Sequence, residues 1–366
     1  MMPGPPGRLR FRERRESQLA GPGKYLAVAG ATAALLAAGL GTGLSGAAAA
    51  QTVRAGPPRY YLEQGFGRQK PVVRATATGR VTGRVGCPEG GAPQAFVPAS
   101  PMFFMVCSLP SGGSQIYSFR VNSSGRPSAP AIVRGGNLSG IVGSLAASAS
   151  GSTLAVSVGS RPASAEVIVI STLTGAHAVW TDGAVGPGMI RLGVGQLALT
   201  GNGRELVDIT IPRCVKGSAG SKCRAPGQEA RVVSPARAGG SLTRSRLIMR
   251  QSVVAGLRNG FINHVAITPD GRALIVAVVG GGTINGGFVA VDQVSAATGH
   301  VTKVLYKMKT GDGFSYQFVS TDPSGRYVLF DAGTTKTDVN GWIDHGKLVR
   351  LRPAGNNVTY EAWSGQ

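Results

Sequence analysis

Two hairpin motifs alternate along this chain, 56 of its 366 residues are glycine, and few stretches carry helical periodicity. Together these predict an all-β fold: a β-propeller of about six four-stranded blades, with seven as the alternative. The first motif is clearest at Thr268-Pro269-Asp270-Gly271-Arg272, which leads into the apolar run Ala273-Leu274-Ile275-Val276-Ala277-Val278. Proline presets φ, the aspartate side chain closes the turn and glycine takes the left-handed position. Copies stand around Gly151, Gly203 and Gly325, so the four glycines are spaced by 52, 68 and 54 residues.

The chain begins with a basic tail, residues 1–24, in which Arg8, Arg10, Arg12, Arg14, Arg15 and Lys24 outnumber Glu13 and Glu16 among prolines and glycines. Such a composition predicts a disordered segment. Residues 25–50 carry no charge; as a helix they span ~39 Å, more than the ~30 Å hydrocarbon core. This predicts a transmembrane anchor with the tail held in the cytoplasm by the positive-inside rule. The Ala47-Ala48-Ala49-Ala50 run before Gln51 offers a cleavage site, so the alternative is a signal segment and a secreted chain. Either reading puts residues 51 onward outside the cytoplasm.

Residues 51–58 form a linker, and residues 59–366 read as the propeller. Tyr60-Tyr61-Leu62 and the segment 72–85 supply strands of a first blade, and residues 96–106 form a degenerate first hairpin of the next. The second motif places a hydroxyl residue and glycine between strands, as at Thr78-Gly79, Ser124-Gly125, Thr174-Gly175 and Thr298-Gly299. The long interval between Gly203 and Gly271 holds an extra loop, residues 212–229. Val358-Thr359-Tyr360-Glu361-Ala362-Trp363 is a closing strand placed to join the first blade, because an open ring leaves exposed edges.

The Thr268-to-Arg272 turn and the Thr-Gly hairpins resemble the WD40-like repeats of TolB-type bacterial propellers. The layout of basic tail, single anchor, then Pro58-Arg59-Tyr60-Tyr61 and repeats is similar to membrane-anchored propellers common in actinobacteria. The Trp-Asp signature of eukaryotic WD40 blades is absent from the sequence. The resemblance implies a binding or sensing scaffold more than a shared reaction.

Four cysteines, Cys87, Cys107, Cys214 and Cys223, allow three disulfide connectivities. Cys214 and Cys223 would close the short Gly-, Ser- and Lys-rich loop, leaving Cys87 to pair with Cys107 near the junction of the first two blades; free buried thiols are the alternative. No C-x-x-C spacing supports zinc. His177, His264, His300 and His345 are isolated, and neither H-E-x-x-H nor G-x-S-x-G occurs. The Gly280-to-Gly287 stretch lacks the Lys-Ser/Thr of a phosphate loop. No catalytic, cofactor or metal residue is therefore assigned.

Formal net charge is +21, and residues 51–366 alone carry 32 Lys+Arg against 15 Asp+Glu. Arg213, Lys216, Lys222 and Arg224 are candidate anion-binding residues, with a further excess at Arg231, Arg237, Arg244, Arg246 and Arg250. No nucleic-acid fold surrounds the basic tail, so the expected partner is a protein, an anionic cell-surface polymer or a lipid surface. The expected function is a non-enzymatic, extracytoplasmic binding scaffold. The alternatives are a lactonase-like propeller hydrolase with its site in the central channel, and a membrane-anchored sensor domain.

Overall fold

Alternation along Ala273–Gly280 shows how this sequence builds a propeller. Leu274, Val276 and Val278 face one neighbouring blade, whereas Ile275 and Ala277 face the other, and all five are buried. A strand covered on both faces reads as a continuous apolar run, as this one does. A computed structural model describes residues 56–65, 70–99, 102–160, 164–181, 189–190, 194–210, 214–217, 220–222, 228–237, 239–251, 261–280, 287–310, 316–322, 324–333, 338–351 and 358–363. The expected tail and the anchor or signal segment lie outside the described residues, as does most of the linker. Among the described residues no helix is long and apolar enough to cross a membrane.

Six sheets form the blades, each built on four antiparallel strands that run from an innermost strand at the channel to an outermost one. Blade 1 is Val358–Trp363, Tyr60–Gly65, Val72–Ala75 and Val81–Arg84; blade 2 is Pro93–Ala99, Met102–Ser108, Ser114–Arg120 and Ala131–Leu138. Blade 3 is Ile141–Ala147, Thr153–Ser160, Ser164–Ser171 and His177–Thr181; blade 4 is Val194–Leu199, Leu206–Thr210, Glu229–Val233 and Arg246–Arg250. Blade 5 is Phe261–Ile267, Ala273–Gly280, Gly287–Ser295 and Val301–Thr310; blade 6 is Tyr316–Thr321, Tyr327–Gly333, Asp338–Asp344 and Lys347–Arg350. Each innermost strand lies against that of the next blade. The C-terminal strand meets both blade 6 and blade 2, which completes a six-membered ring. It pairs antiparallel with Tyr60–Gly65, with Tyr61 opposite Trp363 and Gly65 opposite Val358.

The apolar core is divided among the blade seams. One cluster joins Phe104, Ile116 and Val133 of blade 2 to Leu145, Leu154 and Val156 of blade 3. Another joins Val207, Ile209 and Met249 of blade 4 to Val265, Leu274 and Val276 of blade 5. The seam between blades 6 and 1 rests on Tyr61, Tyr327, Leu329 and Leu351, with Trp342 packed alongside.

The hairpin between the first two strands has one geometry in blades 3 to 6 despite four different sequences. Its first residue, Ser148, Thr200, Thr268 or Asp322, donates its backbone N–H to the carbonyl five residues on. The side-chain oxygen of that residue then accepts the returning N–H, at 3.1, 3.0, 3.0 and 2.7 Å respectively. Any short side chain bearing an oxygen serves, so Ser, Thr and Asp replace one another. Gly271 closes its turn at φ 73° and Gly325 at φ 70°, a region that costs other L-residues about 1–2 kcal/mol.

Two features differ from the sequence reading. Part of the expected loop 212–229 is strand: Cys214–Gly217 and Gly220–Lys222 form a hairpin, extended by Met189–Ile190 into a small side sheet. Glycine, serine and lysine disfavour strands, and pairing to Met189–Ile190 overrides that preference. The chain between the outer two strands of blade 4 also lends Gly239–Ser241 to blade 3, where it runs parallel to Val179–Thr181. The four-strand period of the motifs contains no signal for this fifth strand.

Candidate functional site

A cavity of about 220 Å³ occupies the channel, walled by the innermost strands of blades 2 to 6. Where these strands end, the hairpins crowd together. Ala149 N donates to Gly201 O at 2.8 Å, and a Cβ on Gly201 would lie 2.9 Å from the Pro269 carbonyl oxygen. The wall is largely Ala, Val, Leu and Ile, interrupted by Gln94, Ser144, Gln196, His264, Ser320, Thr321 and Asp322.

The polar groups bridge neighbouring blades. Gln94 Oε1 accepts from Ser114 Oγ of its own blade at 3.0 Å and, across the seam between blades 2 and 3, from Val142 N at 3.3 Å. Ser144 Oγ donates to Gln196 Oε1 at 3.2 Å and accepts from Leu197 N at 3.1 Å, across the seam between blades 3 and 4. Farther out, Gln228 Nε2 donates to Ile262 O at 2.8 Å, across the seam between blades 4 and 5. His264 packs at a tilt of 50° against Phe318 of blade 6, with centroids 4.9 Å apart. Burial lowers its pKa to about 4, against the opposing effect of a hydrogen bond to the Val319 backbone, so the ring is neutral at pH 7. Asp322, the acidic residue of the wall, is committed to its own turn, accepting from Tyr327 N, Ser324 N and Ser324 Oγ. Among the described residues no group of three or more His, Cys, Asp or Glu is placed to hold a metal ion.

A second concavity opens between blades 3 and 4, where Gly239–Ser241 crosses to the edge of blade 3. Arg204, Arg237, Arg244 and Arg246 line it, against one acidic residue, Glu205, which sits 3.7 Å from Arg246. Trp180 is buried behind Gly240 and closes the back. Arg237, Arg244 and Arg246 belong to the basic segment that begins at Arg231 in the sequence. Arg231 and Arg250 of that segment turn instead to Glu229, at 2.7 and 3.3 Å. Arg204 comes from the first hairpin of blade 4, where the pairing of Leu206 with Val233 and of Val232 with Arg246 brings that hairpin's end beside Arg246.

The other expected site residues are more dispersed. Cys87 and Cys107 are joined by a disulfide with Cα atoms 5.8 Å apart, linking the end of blade 1 to the second strand of blade 2. Cys214, Lys216 and Lys222 lie on the side-sheet hairpin, of which the backbone alone is described. Arg213, Cys223 and Arg224 lie outside the described residues, so the expected Cys214–Cys223 bond does as well. His177 is exposed on the edge of blade 3 and bonds Gly135 O at 2.7 Å; His300 is exposed beyond its turn.

No protein-family profile matches the sequence, and no curated protein matches it either. Solved structures do resemble its fold. TolB from Acinetobacter baumannii superposes with a TM-score of 0.56 at 11% identity, over 83% of this chain and 66% of that one. The putative TolB from Agrobacterium tumefaciens gives 0.48 at 13% identity, over 83% and 89% of the two chains. A putative 6-phosphogluconolactonase from Bacteroides uniformis gives 0.43 at 13% identity, over 84% and 98%. Six blades, a ring closed by the C-terminal strand and the likeness to the Acinetobacter protein together make this a β-propeller of the TolB fold type.

Proposed function

We propose that this protein is a non-enzymatic binding propeller that works outside the cytoplasm and holds an anionic polymer, or an acidic face of a partner protein, at the groove between blades 3 and 4. The observation that carries this reading is the convergence of Arg204, Arg237, Arg244 and Arg246 around one hollow against a single glutamate. Guanidinium groups present paired donors that match phosphate and carboxylate geometry. Extracytoplasmic placement is supported by the Cys87–Cys107 bond, since disulfides persist in oxidising compartments. The charge-free run 25–50 behind a basic tail supports retention at the membrane. The segment carrying Arg213, Lys216, Lys222 and Arg224 adds a second basic surface in this reading.

The test is binding of the full-length protein, in detergent micelles, to immobilised polyphosphate as salt is raised from about 50 to about 500 mM, over which screening becomes short-ranged. Binding is expected to weaken at least about tenfold over that range, and Arg204→Ala with Arg244→Ala to weaken it by a similar factor. Binding that is insensitive both to salt and to these arginines would reject the groove as the site.

A further inference from the structure

The channel cavity carries a second, separate inference. Gln94 and Gln196 both use Oε1 to accept hydrogen bonds from across a blade seam, and both are moored beside the innermost strand of blade 3. Gln94 is held at Val142 and Gln196 at Ser144, two residues apart on that strand, a span of about 7 Å. Because each oxygen is engaged, each Nε2 amide is left as a donor, and neither has a partner among the described residues. Both side chains line the cavity and are half-buried.

The rest of the wall defines what these donors would meet. Among the described residues no lysine or arginine lines the cavity. A bound carboxylate would therefore lose its water without gaining a counter-charge, which is costly. A bound cation fares no better, since Asp322 is already satisfied by three donors of its own turn. His264 is uncharged at neutral pH. The body of the cavity is aliphatic, with Ala95, Val97, Leu145, Ala198 and Val265 among its walls. At about 220 Å³ it is smaller than the ~300–1,000 Å³ of sites for drug-sized ligands.

We infer that the channel is a binding site for a small uncharged aliphatic compound bearing amide- or ester-type carbonyl oxygens, which Gln94 Nε2 and Gln196 Nε2 hydrogen-bond while the alkyl part fills the apolar half. This inference is independent of the basic groove, since no residue is shared between the two sites.

Three probes with one body and different charge test it on the full-length protein: N-acetylvalinamide, which is neutral, N-acetylvaline, an anion, and valinamide, a cation. Binding is followed by shifts of the side-chain amide resonances of Gln94 and Gln196 in the ¹⁵N-labelled protein. The neutral probe is expected to bind in the millimolar range and to shift both amides, with each charged probe at least about tenfold weaker. Gln94→Glu and Gln196→Glu retain an accepting oxygen at the blade seam, remove the Nε2 donor and add a carboxylate charge. Each is expected to weaken N-acetylvalinamide at least about tenfold, whereas Arg237→Ala in the groove leaves it unchanged. Three results overturn the inference: no shift with the neutral probe, equal binding of all three probes, or undiminished binding to both glutamate variants. If the variants fold poorly, the three-probe comparison on the unaltered protein still decides.

Discussion

Arg74 closes its guanidinium on Glu63: Nε donates to Oε2 at 2.5 Å and Nη2 to Oε1 at 2.9 Å, while Nη1 reaches Gly79 O at 2.7 Å. The glutamate side chain is 5% exposed and stands opposite Tyr360 of the C-terminal strand. Burial pushes its carboxyl up, and the hydrogen bond and charge of Arg74 work against that. The pair thus ties the strand that receives the C-terminus to the hairpin at Gly79.

Removing one partner of a buried ion pair strands the other. Arg74→Met is expected to destabilise the fold by about 3–5 kcal/mol, whereas Arg74→Met combined with Glu63→Leu recovers much of the loss. Urea unfolding of the two variants checks this. A double variant no more stable than the single one would show that the cost lies in lost packing.

The Cys87–Cys107 bond closes a segment with a sequence separation of 20 residues. Restricting the unfolded chain in that way stabilises by about 3 kcal/mol. Cys87→Ala with Cys107→Ala should lower stability by that order, and reductant should then have no further effect through this bond. An unfolding midpoint equal to that of the parent protein is the contrary result.

Two groups give stability a pH dependence of opposite sign. Burial raises the Asp292 pKa from its ordinary value to about 6, with the charge of Lys307 opposing. The folded state thus binds this proton more tightly than the unfolded chain. The resulting stabilisation is full below about pH 4 and is lost as pH rises through 6. His264 behaves conversely: its folded pKa of about 4 lies below the unfolded value, so its contribution is full above about pH 6.5 and is lost as pH falls towards 4. Between these limits the two offset each other in the native protein. Asp292→Asn should raise stability at pH 7.5 by roughly 2–3 kcal/mol relative to its effect at pH 4. His264→Gln should flatten the acid limb instead. Identical pH profiles for both variants and the parent would refute both assignments.

Much of the ring was legible because its turns depend on local chemistry. Gly79, Gly125, Gly175 and Gly299 of one motif, and Gly151, Gly203, Gly271 and Gly325 of the other, all take φ between 68 and 78°. A turn that needs left-handed backbone selects glycine whatever the strands around it do. The basic groove was only half legible. Arg237, Arg244 and Arg246 are neighbours in sequence, but Arg204 joins them through the long-range strand pairing of blade 4, which no short-range pattern encodes. The channel amides were not legible at all. Gln94 and Gln196 are single glutamines in apolar strands, and their significance comes from the seams they bridge.

Ring closure provides the most demanding test of the architecture. Three strands of blade 1 come from the first part of the propeller and its innermost strand, Val358–Trp363, from the end of the chain. Deleting residues 358–366 removes the partner of Tyr60–Gly65 and leaves that strand's inner edge open. It also removes the contact that joins blade 6 to blade 2 across the ring. Among the described residues, the seam between blades 6 and 1 rests on Tyr61, Tyr327, Leu329 and Leu351. An unpaired edge is a template for association with other chains. The truncated protein should therefore aggregate or lose cooperative thermal unfolding, whereas deleting residues 1–55 should leave unfolding of the propeller cooperative. Light scattering after size-exclusion chromatography, with circular dichroism, measures both. A monomeric, cooperatively unfolding product of the C-terminal deletion would mean that the other five seams hold the ring without its closing strand.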